Sequence, residues 1–243
     1  MRLVIFILVV LAIVLIAWFT GAIRLAKTIW LIAEVKPYEQ TGVGENPQSI
    51  LVLGDSTGYG TGAGAGKYSI AGLIGADYPG YSVTNNSKNG RTIGEALTEI
   101  KTLPTEPKQT LLLLQIGGND ILQKKELDVV RSELKELYSE AKLRATNVVM
   151  LSSGNVGTAA RFVGTSREGE YDRLSRQFRD MFISVANEAG VTYVDLFEER
   201  ENDVFLREPK KYFAIDGLHP SAAGYMYWYL KLGPVVQVIL SEK

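Results

Sequence analysis

Residues 110–115 read Thr-Leu-Leu-Leu-Leu-Gln, and residues 116–120 continue as Ile-Gly-Gly-Asn-Asp. Four consecutive leucines make both faces of a strand apolar, which is typical of a central parallel strand that helices cover on both sides. Two glycines follow the strand and place an asparagine and an aspartate at its carboxyl end. The stretch therefore indicates the middle strand of a parallel sheet.

Short strand-like runs alternate with longer helical patterns on both sides of this stretch. The runs rich in leucine or β-branched residues predict strands at 50–53, 81–85, 110–115, 147–152 and 192–195. Apolar spacing predicts helices at 92–101, 127–143, 171–189 and 222–240, and Gly233-Pro234 predicts a break in the last of them. This alternation is typical of βαβ units, so we expect an α/β fold with a five-stranded parallel sheet.

The composition excludes several kinds of function. With 46% hydrophobic and 22% charged residues, the chain has the balance of a globular protein. Its formal net charge of −1 offers no concentrated basic face, so we expect no nucleic-acid partner. Because the chain has no cysteine and one histidine, we expect no disulfide, no metal and no cofactor, and any imidazole chemistry must use His219.

The N-terminal segment is strongly apolar. Residues 3–19 are all apolar, and a helix over 3–23 has about the 20 residues needed to span a membrane. A cleaved signal peptide and a buried core helix are the alternatives. We expect a single-pass anchor with a juxtamembrane helix at 1–35, a linker at 36–48 and a folded domain at 49–243. Charge counts at the two ends of the helix leave its orientation open, and a short charged N-terminus favours an extracytoplasmic domain.

Four motifs fall at strand ends or before the last helix, where a parallel sheet collects its ligands. The third of them follows the central strand directly. The motifs are Gly54-Asp55-Ser56, Asn89-Gly90-Arg91, Gly118-Asn119-Asp120 and Asp216-Gly217-Leu218-His219-Pro220.

Each motif has a chemical and a structural interpretation. Ser56 on a strand-to-helix turn can expose its hydroxyl, and Asp216 can orient His219 so that the imidazole takes the serine proton. Gly90 and Asn119 can supply N–H donors to a developing oxyanion. Taken singly, the same residues are equally typical of capped turns, a turn glycine, a loop asparagine and a packed histidine.

The ordered set of four motifs resembles the SGNH, or GDSL-type, hydrolase family, from residue 49 to the C-terminus. The resemblance implies a three-layer α/β/α sandwich with a flavodoxin-like sheet. It also implies hydrolysis of ester bonds through an acyl-enzyme, without a metal. The implied residues are Ser56, Asp216 and His219 as the catalytic triad, and Ser56, Gly90 and Asn119 as the oxyanion hole.

The substrate is less well specified. The family often has leucine or isoleucine where this chain has Thr57, which bears on substrate preference rather than on mechanism. Thr57, Arg91, Asn155 and Phe162 are candidate substrate-binding residues, with a solvated turn for Arg91 and a local hydrophobic plug for Phe162 as alternatives. We expect a lipid, lysophospholipid or other acyl ester as substrate. The alternatives are O-deacetylation of a cell-envelope carbohydrate and a catalytically silent module that binds glycan or lipid.

Overall fold

The computed structural model describes the backbone of residues 2–44 and 48–241, and places five strands in one sheet of parallel neighbours. The strands are β1 (Ser49–Gly54), β2 (Ser82–Asn85), β3 (Gln109–Gln115), β4 (Ala145–Leu151) and β5 (Thr192–Val194). Their order is β2-β1-β3-β4-β5, so the four leucines of β3 lie in the middle of the sheet. The prediction of a five-stranded parallel α/β fold is confirmed.

Helices cover both faces of this sheet. They are α1 (Arg2–Glu34), α2 (Ser56–Tyr59), α3 (Ile70–Asp77), α4 (Ile93–Ile100), α5 (Gly118–Leu122), α6 (Leu127–Arg144), α7 (Glu168–Ala189), α8 (Val204–Arg207), α9 (Pro209–Tyr212) and α10 (Ala222–Ser241). Because successive strand residues point to opposite faces, Leu112 and Leu114 pack with α4, α6 and α7, whereas Leu111 and Leu113 pack with α3 and α10. The result is a three-layer arrangement.

The predicted break in the last helix is wrong. Helix α10 runs through Pro234 without ending. Leu232 and Val236, on either side of the proline, are both fully buried in the same core cluster, so packing holds both halves against the sheet. Pro234 removes one backbone hydrogen bond to Leu230, and Leu230 is exposed, so water can satisfy its carbonyl group.

The N-terminal region contacts the folded domain at two places. Leu31 and Val35, at the end of α1, are only 3% and 2% exposed. Within the predicted linker, Gln40 forms an antiparallel bridge with Val83 of edge strand β2, through N–O distances of 3.0 and 2.9 Å. Residues 45–47 of that linker lie outside the described residues.

The predicted membrane span at 3–23 falls largely on side chains that are not described, those of residues 3–14, 16 and 17. In the part of the chain whose placement the structure describes, no helix combines the length and the apolar character needed to cross a membrane. The anchor therefore stays a prediction.

Candidate active site

The carboxyl end of β1 presents Ser56 at the edge of the sheet. Ser56 is the first residue of α2, and Asp55 caps that helix by accepting hydrogen bonds from the N–H and the hydroxyl of Thr57, each at 2.7 Å. The cap fixes the turn that carries the serine. Burial, as the largest influence, raises the pKa of Asp55 above its ordinary value, although the Thr57 donors lower it.

His219 and Asp216 come to Ser56 on a tight loop between α9 and α10. The loop is closed by an antiparallel bridge between Phe213 and Pro220. Gly217 adopts a φ of 68°, in the left-handed region, and a Cβ there would lie 3.1 Å from the backbone nitrogen of Arg161. Both the turn and the close packing therefore favour glycine at this position.

Three side chains form a continuous hydrogen-bonded chain. His219 Nε2 lies 3.0 Å from Ser56 Oγ, and His219 Nδ1 lies 2.7 Å from Asp216 Oδ2. An Asp216 carboxylate accepts from Nδ1–H, which leaves the Nε2 lone pair facing the serine hydroxyl. The arrangement can remove a proton from Ser56 and stabilise the imidazolium that forms.

The Asp216 carboxylate is buried and strongly solvated by the protein. Its Oδ1 accepts from the backbone N–H groups of Leu218 and His219 at 3.0 and 3.1 Å. Burial alone would raise its pKa, but the His219 ring and these N–H groups hold the pKa of Asp216 well below its ordinary value. Asp216 is therefore negatively charged at neutral pH.

The second and third motifs lie beside the serine. Ser56, Gly90 and Asn119 line one cavity. Gly90 has a φ of 81°, and since the space around it is open, backbone conformation alone favours glycine there. Asn119 Nδ2 donates one hydrogen to the Arg91 carbonyl at 3.1 Å, and the same amide carries a second N–H. These groups can act together as donors to an oxyanion.

Asp120 connects the loops that carry these donors. Its Oδ2 accepts from the N–H of Ile93 at 3.1 Å, which joins α5 to the start of α4 just after the Gly90 turn. Lys125 lies 3.6 Å away. Burial is the main influence and raises the pKa of Asp120 to about 6.

The cavity at Ser56 has a volume of about 360 Å³, within the range of small-molecule sites. Its polar lining beyond the serine and the two donor residues includes Asn155, Glu198 and Asp203. The apolar side chains of its wall come from distant parts of the sequence and include Ile32, Val156, Leu196, Phe205, Leu218 and Trp228. In the described part of the chain, no three Asp, Glu, His or Cys side chains are grouped as metal ligands would be.

Two of the four candidate substrate-binding residues line this cavity. They are Thr57 and Asn155. The Asn155 side chain donates to Asp172 at 2.5 Å and accepts from the N–H of Gly157 at 2.9 Å, so it shapes the wall and caps a turn. The Thr57 hydroxyl is likewise engaged, because it donates to Asp55.

The other two candidates lie elsewhere. Phe162 is buried in the core and stacks on Tyr171 with ring centroids 4.6 Å apart, which removes it from the cavity wall. Arg91 is only 5% exposed, so a solvated turn arginine is also wrong. Its guanidinium donates to the Asn86 carbonyl and lies 3.4 Å from Glu99, and these partners compensate for its burial. It lines a separate polar cavity.

The sequence analysis missed Thr28 and Ile32. Both belong to α1, and both line the Ser56 cavity. They are four residues apart, so they share one face of the helix. The sequence carried no signal for this contact because it joins the N-terminal segment to a loop 188 positions away.

Comparisons with known proteins agree with this geometry. The GDSL-like Lipase/Acylhydrolase family matches residues 52–227, which contain all four motifs. The match and the site together define a serine esterase with an α/β fold. The chain belongs to the GDSL-like lipase/acylhydrolase family. No curated protein matches the chain.

Solved structures share the fold at low sequence identity. TesA is 22% identical with a TM-score of 0.61, over 79% of this chain and 99% of its own. A member of the lipolytic G-D-S-L family from Veillonella parvula is 21% identical with a TM-score of 0.58, over 77% and 97%. A carbohydrate acetylesterase family member from Sinorhizobium meliloti is 17% identical with a TM-score of 0.58, over 80% and 99%.

Proposed function

We propose that Ser56 is the nucleophile of an esterase that works through an acyl-enzyme. His219 takes the Ser56 proton as the oxygen attacks the ester carbonyl, and then gives a proton to the departing alcohol. A water molecule, deprotonated by His219, releases the acyl group in the second step. The observation that carries this proposal is the hydrogen-bonded chain of 3.0 and 2.7 Å from Ser56 through His219 to Asp216.

The oxyanion that forms in both steps needs donors. We assign this role to the N–H groups of Ser56 and Gly90 and to the amide of Asn119, since all three residues face the same cavity. Donors fixed in place before the reaction stabilise the transition state without the cost of reorganising solvent.

The substrate proposed is an ester with an apolar acyl group larger than acetyl, such as a lipid or lysophospholipid. One water molecule takes about 30 Å³ of the liquid, so a cavity of about 360 Å³ has room for roughly a dozen non-hydrogen atoms. Its many apolar wall residues favour burial of a hydrocarbon chain over a sugar.

A second candidate is O-deacetylation of a cell-envelope carbohydrate. The carboxylates of Glu198 and Asp203 line the cavity and can accept hydrogen bonds from sugar hydroxyls. The structural likeness to a carbohydrate acetylesterase family member is compatible with this candidate. A catalytically silent binding module is the third, and it requires that Ser56 not react.

Hydrolysis of p-nitrophenyl esters from acetyl to dodecanoyl tests the proposal. We expect turnover that depends on Ser56 and a kcat/KM that is highest for a medium-length acyl chain. Ser56→Ala should lose nearly all activity, whereas Ser184→Ala, which alters a serine on the surface of α7, should not. A preference for acetyl esters and for acetylated glycan would favour the second candidate. Full activity in Ser56→Ala would refute the mechanism.

We propose further that the N-terminal segment anchors the enzyme in a membrane with the catalytic domain outside the cytoplasm. The apolar composition of residues 3–19 supports the anchor, and Leu15, Trp18 and Phe19 of α1 are exposed large apolar side chains. Carbonate extraction of membranes, followed by protease treatment of intact and opened cells, tests both parts. Release by carbonate would contradict the anchor, and protection in intact cells would contradict the orientation.

A further inference from the structure

The carboxylate of Asp216 has a partner that lies outside the four motifs. The hydroxyl of Thr28, on helix α1, donates to Asp216 Oδ2 at 3.1 Å. This is the oxygen that His219 Nδ1 contacts at 2.7 Å. The N-terminal helix therefore reaches the catalytic acid directly, on the atom that supports the imidazole.

Arg161 holds this contact from the other side. Its Nη2 donates to Thr28 Oγ1 at 2.8 Å and lies 3.6 Å from Asp216 Oδ2. Its Nε donates to the Asp216 carbonyl at 3.3 Å, and its backbone N–H donates to the Gly217 carbonyl at 2.8 Å. Arg161 thus binds the catalytic loop and α1 at once.

The single hydroxyl proton of Thr28 has two acceptors within reach. One is the Arg24 carbonyl at 3.2 Å, within the helix, and the other is Asp216 Oδ2 at 3.1 Å. A charged carboxylate is the stronger acceptor, and the Arg161 donor already occupies the hydroxyl oxygen. The proton is therefore directed to Asp216.

We propose that Thr28 is a positioning residue of this esterase, and that the N-terminal helix completes the catalytic site through it. Thr28 and Arg161 fix the rotation of the carboxylate so that Oδ2 faces His219. They also compensate part of its negative charge, which limits how strongly Asp216 holds the imidazole in its protonated form. Helix α1 is a part of the enzyme in this account, in addition to any role as an anchor. The inference rests on the proposed function.

The docked face of α1 supports this role. Leu31 and Val35 are buried against the domain, and Ile32 lines the cavity beside Thr28. Substrate that enters the cavity therefore meets the helix. The titratable and charged groups around the Asp216–His219 pair are Arg161 from the loop after β4, Asp55 from the β1 turn, Tyr225 from α10 and Arg24 from α1.

The experiment compares Thr28→Val and Thr28→Ser in the full chain, on a short-chain p-nitrophenyl ester. Valine keeps the shape of threonine and removes the hydroxyl, whereas serine keeps the hydroxyl. A hydrogen bond of ordinary strength corresponds to about a 3- to 10-fold change in rate. We expect Thr28→Val to lower kcat by about that factor with little change in KM, and Thr28→Ser to restore it. Lys27→Ala, at the exposed neighbouring position, is the matched control and should match the unaltered chain.

The pH profile separates positioning from general destabilisation. Without the Thr28 hydroxyl, Asp216 should stabilise the imidazolium more strongly, so the acid limb of kcat/KM should move to higher pH in Thr28→Val. If Thr28→Val fails to fold, Arg161→Met reports on the same carboxylate and should show the same two effects. If both fold, the double variant should lose less than the product of the single losses, because the two residues act on one oxygen.

Unchanged kcat and acid limb in a folded Thr28→Val would overturn the inference, as would Thr28→Ser behaving like Thr28→Val. Neither outcome would touch the proposed function, which depends on the loss of activity in Ser56→Ala. Retention of activity in Ser56→Ala would instead remove the proposed function and this inference together.

Discussion

The catalytic groups and the cavity wall of this protein differ in how their residues are distributed along the chain. The proposed nucleophile, base, acid and oxyanion donors lie on short motifs at the ends of β1, β2 and β3 and on the loop before α10. The wall is assembled from single residues of α1, the turn after β4, the segment after β5 and α10. Local sequence therefore encodes the chemistry here, and tertiary packing encodes the shape that selects a substrate.

Asp216→Asn should produce the largest effect among the variants that sharpen this comparison. The amide nitrogen of asparagine cannot accept the Nδ1–H, and the imidazole then loses the tautomer that takes the serine proton. The corresponding change in a serine protease triad costs about 10⁴-fold in kcat, and we expect a loss of that order. Steady-state kinetics on a p-nitrophenyl ester measures it. A loss below 10-fold would place Asp216 outside the reaction.

Asn119→Ala should come next. Removal of one oxyanion donor typically costs about 100- to 1,000-fold in turnover, and kcat should fall by that factor with a smaller change in KM. Asn187→Ala, at an exposed position near the end of α7, is the control and should be neutral. Equal activity of the two variants would mean that the amide does not face the oxyanion.

The wall should respond to a change of size rather than of chemistry. Val156→Phe adds bulk inside the cavity, and we expect about a 10-fold shift of kcat/KM toward shorter acyl chains with acetyl ester hydrolysis nearly preserved. Val163→Phe makes the same change at an exposed position that does not line the cavity. If both variants kept the same chain-length profile as the unaltered chain, the cavity would not be the acyl site.

The smallest expected effect is on stability. Because the pKa of Asp120 rises from 3.8 to about 6 on folding, the folded state holds this proton more tightly than the unfolded state does. Stability should therefore fall as pH increases through that window, by up to about 3 kcal/mol at 1.36 kcal/mol per pKa unit. Asp120→Asn removes the titration and keeps a carbonyl oxygen for the Ile93 N–H. Its free energy of unfolding in urea, relative to the unaltered chain, should rise from pH 4 to pH 7, and parallel curves would contradict this.

The comparison also shows what could be predicted from the sequence. The leucines of β3 determined the centre of the sheet because their apolar character on both faces has one structural solution. Helix α3 was missed because Gly72 and Gly75 obscure its pattern. A Cβ on Gly72 would lie 2.4 Å from the Gly66 carbonyl oxygen, so close packing requires glycine within that helix.

The site residues divide in the same way. Residue type and loop position suggested Ser56 and His219, and the fold brings them within hydrogen-bonding distance. Phe162 and Arg91 were placed by their nearness in sequence to motif residues, yet their side chains are directed by contacts with Tyr171 and Glu99. Thr28 could not be found from sequence, because its partner lies on a distant loop.

The central claim is that the imidazole of His219 activates the hydroxyl of Ser56, and labelling with a fluorophosphonate probe tests it most directly. Peptide mass mapping should find the probe on Ser56 in the full chain, with labelling abolished in Ser56→Ala and slowed by orders of magnitude in a folded His219→Ala. A probe located on another residue, or labelling of Ser56 at an unchanged rate without His219, would contradict the claim.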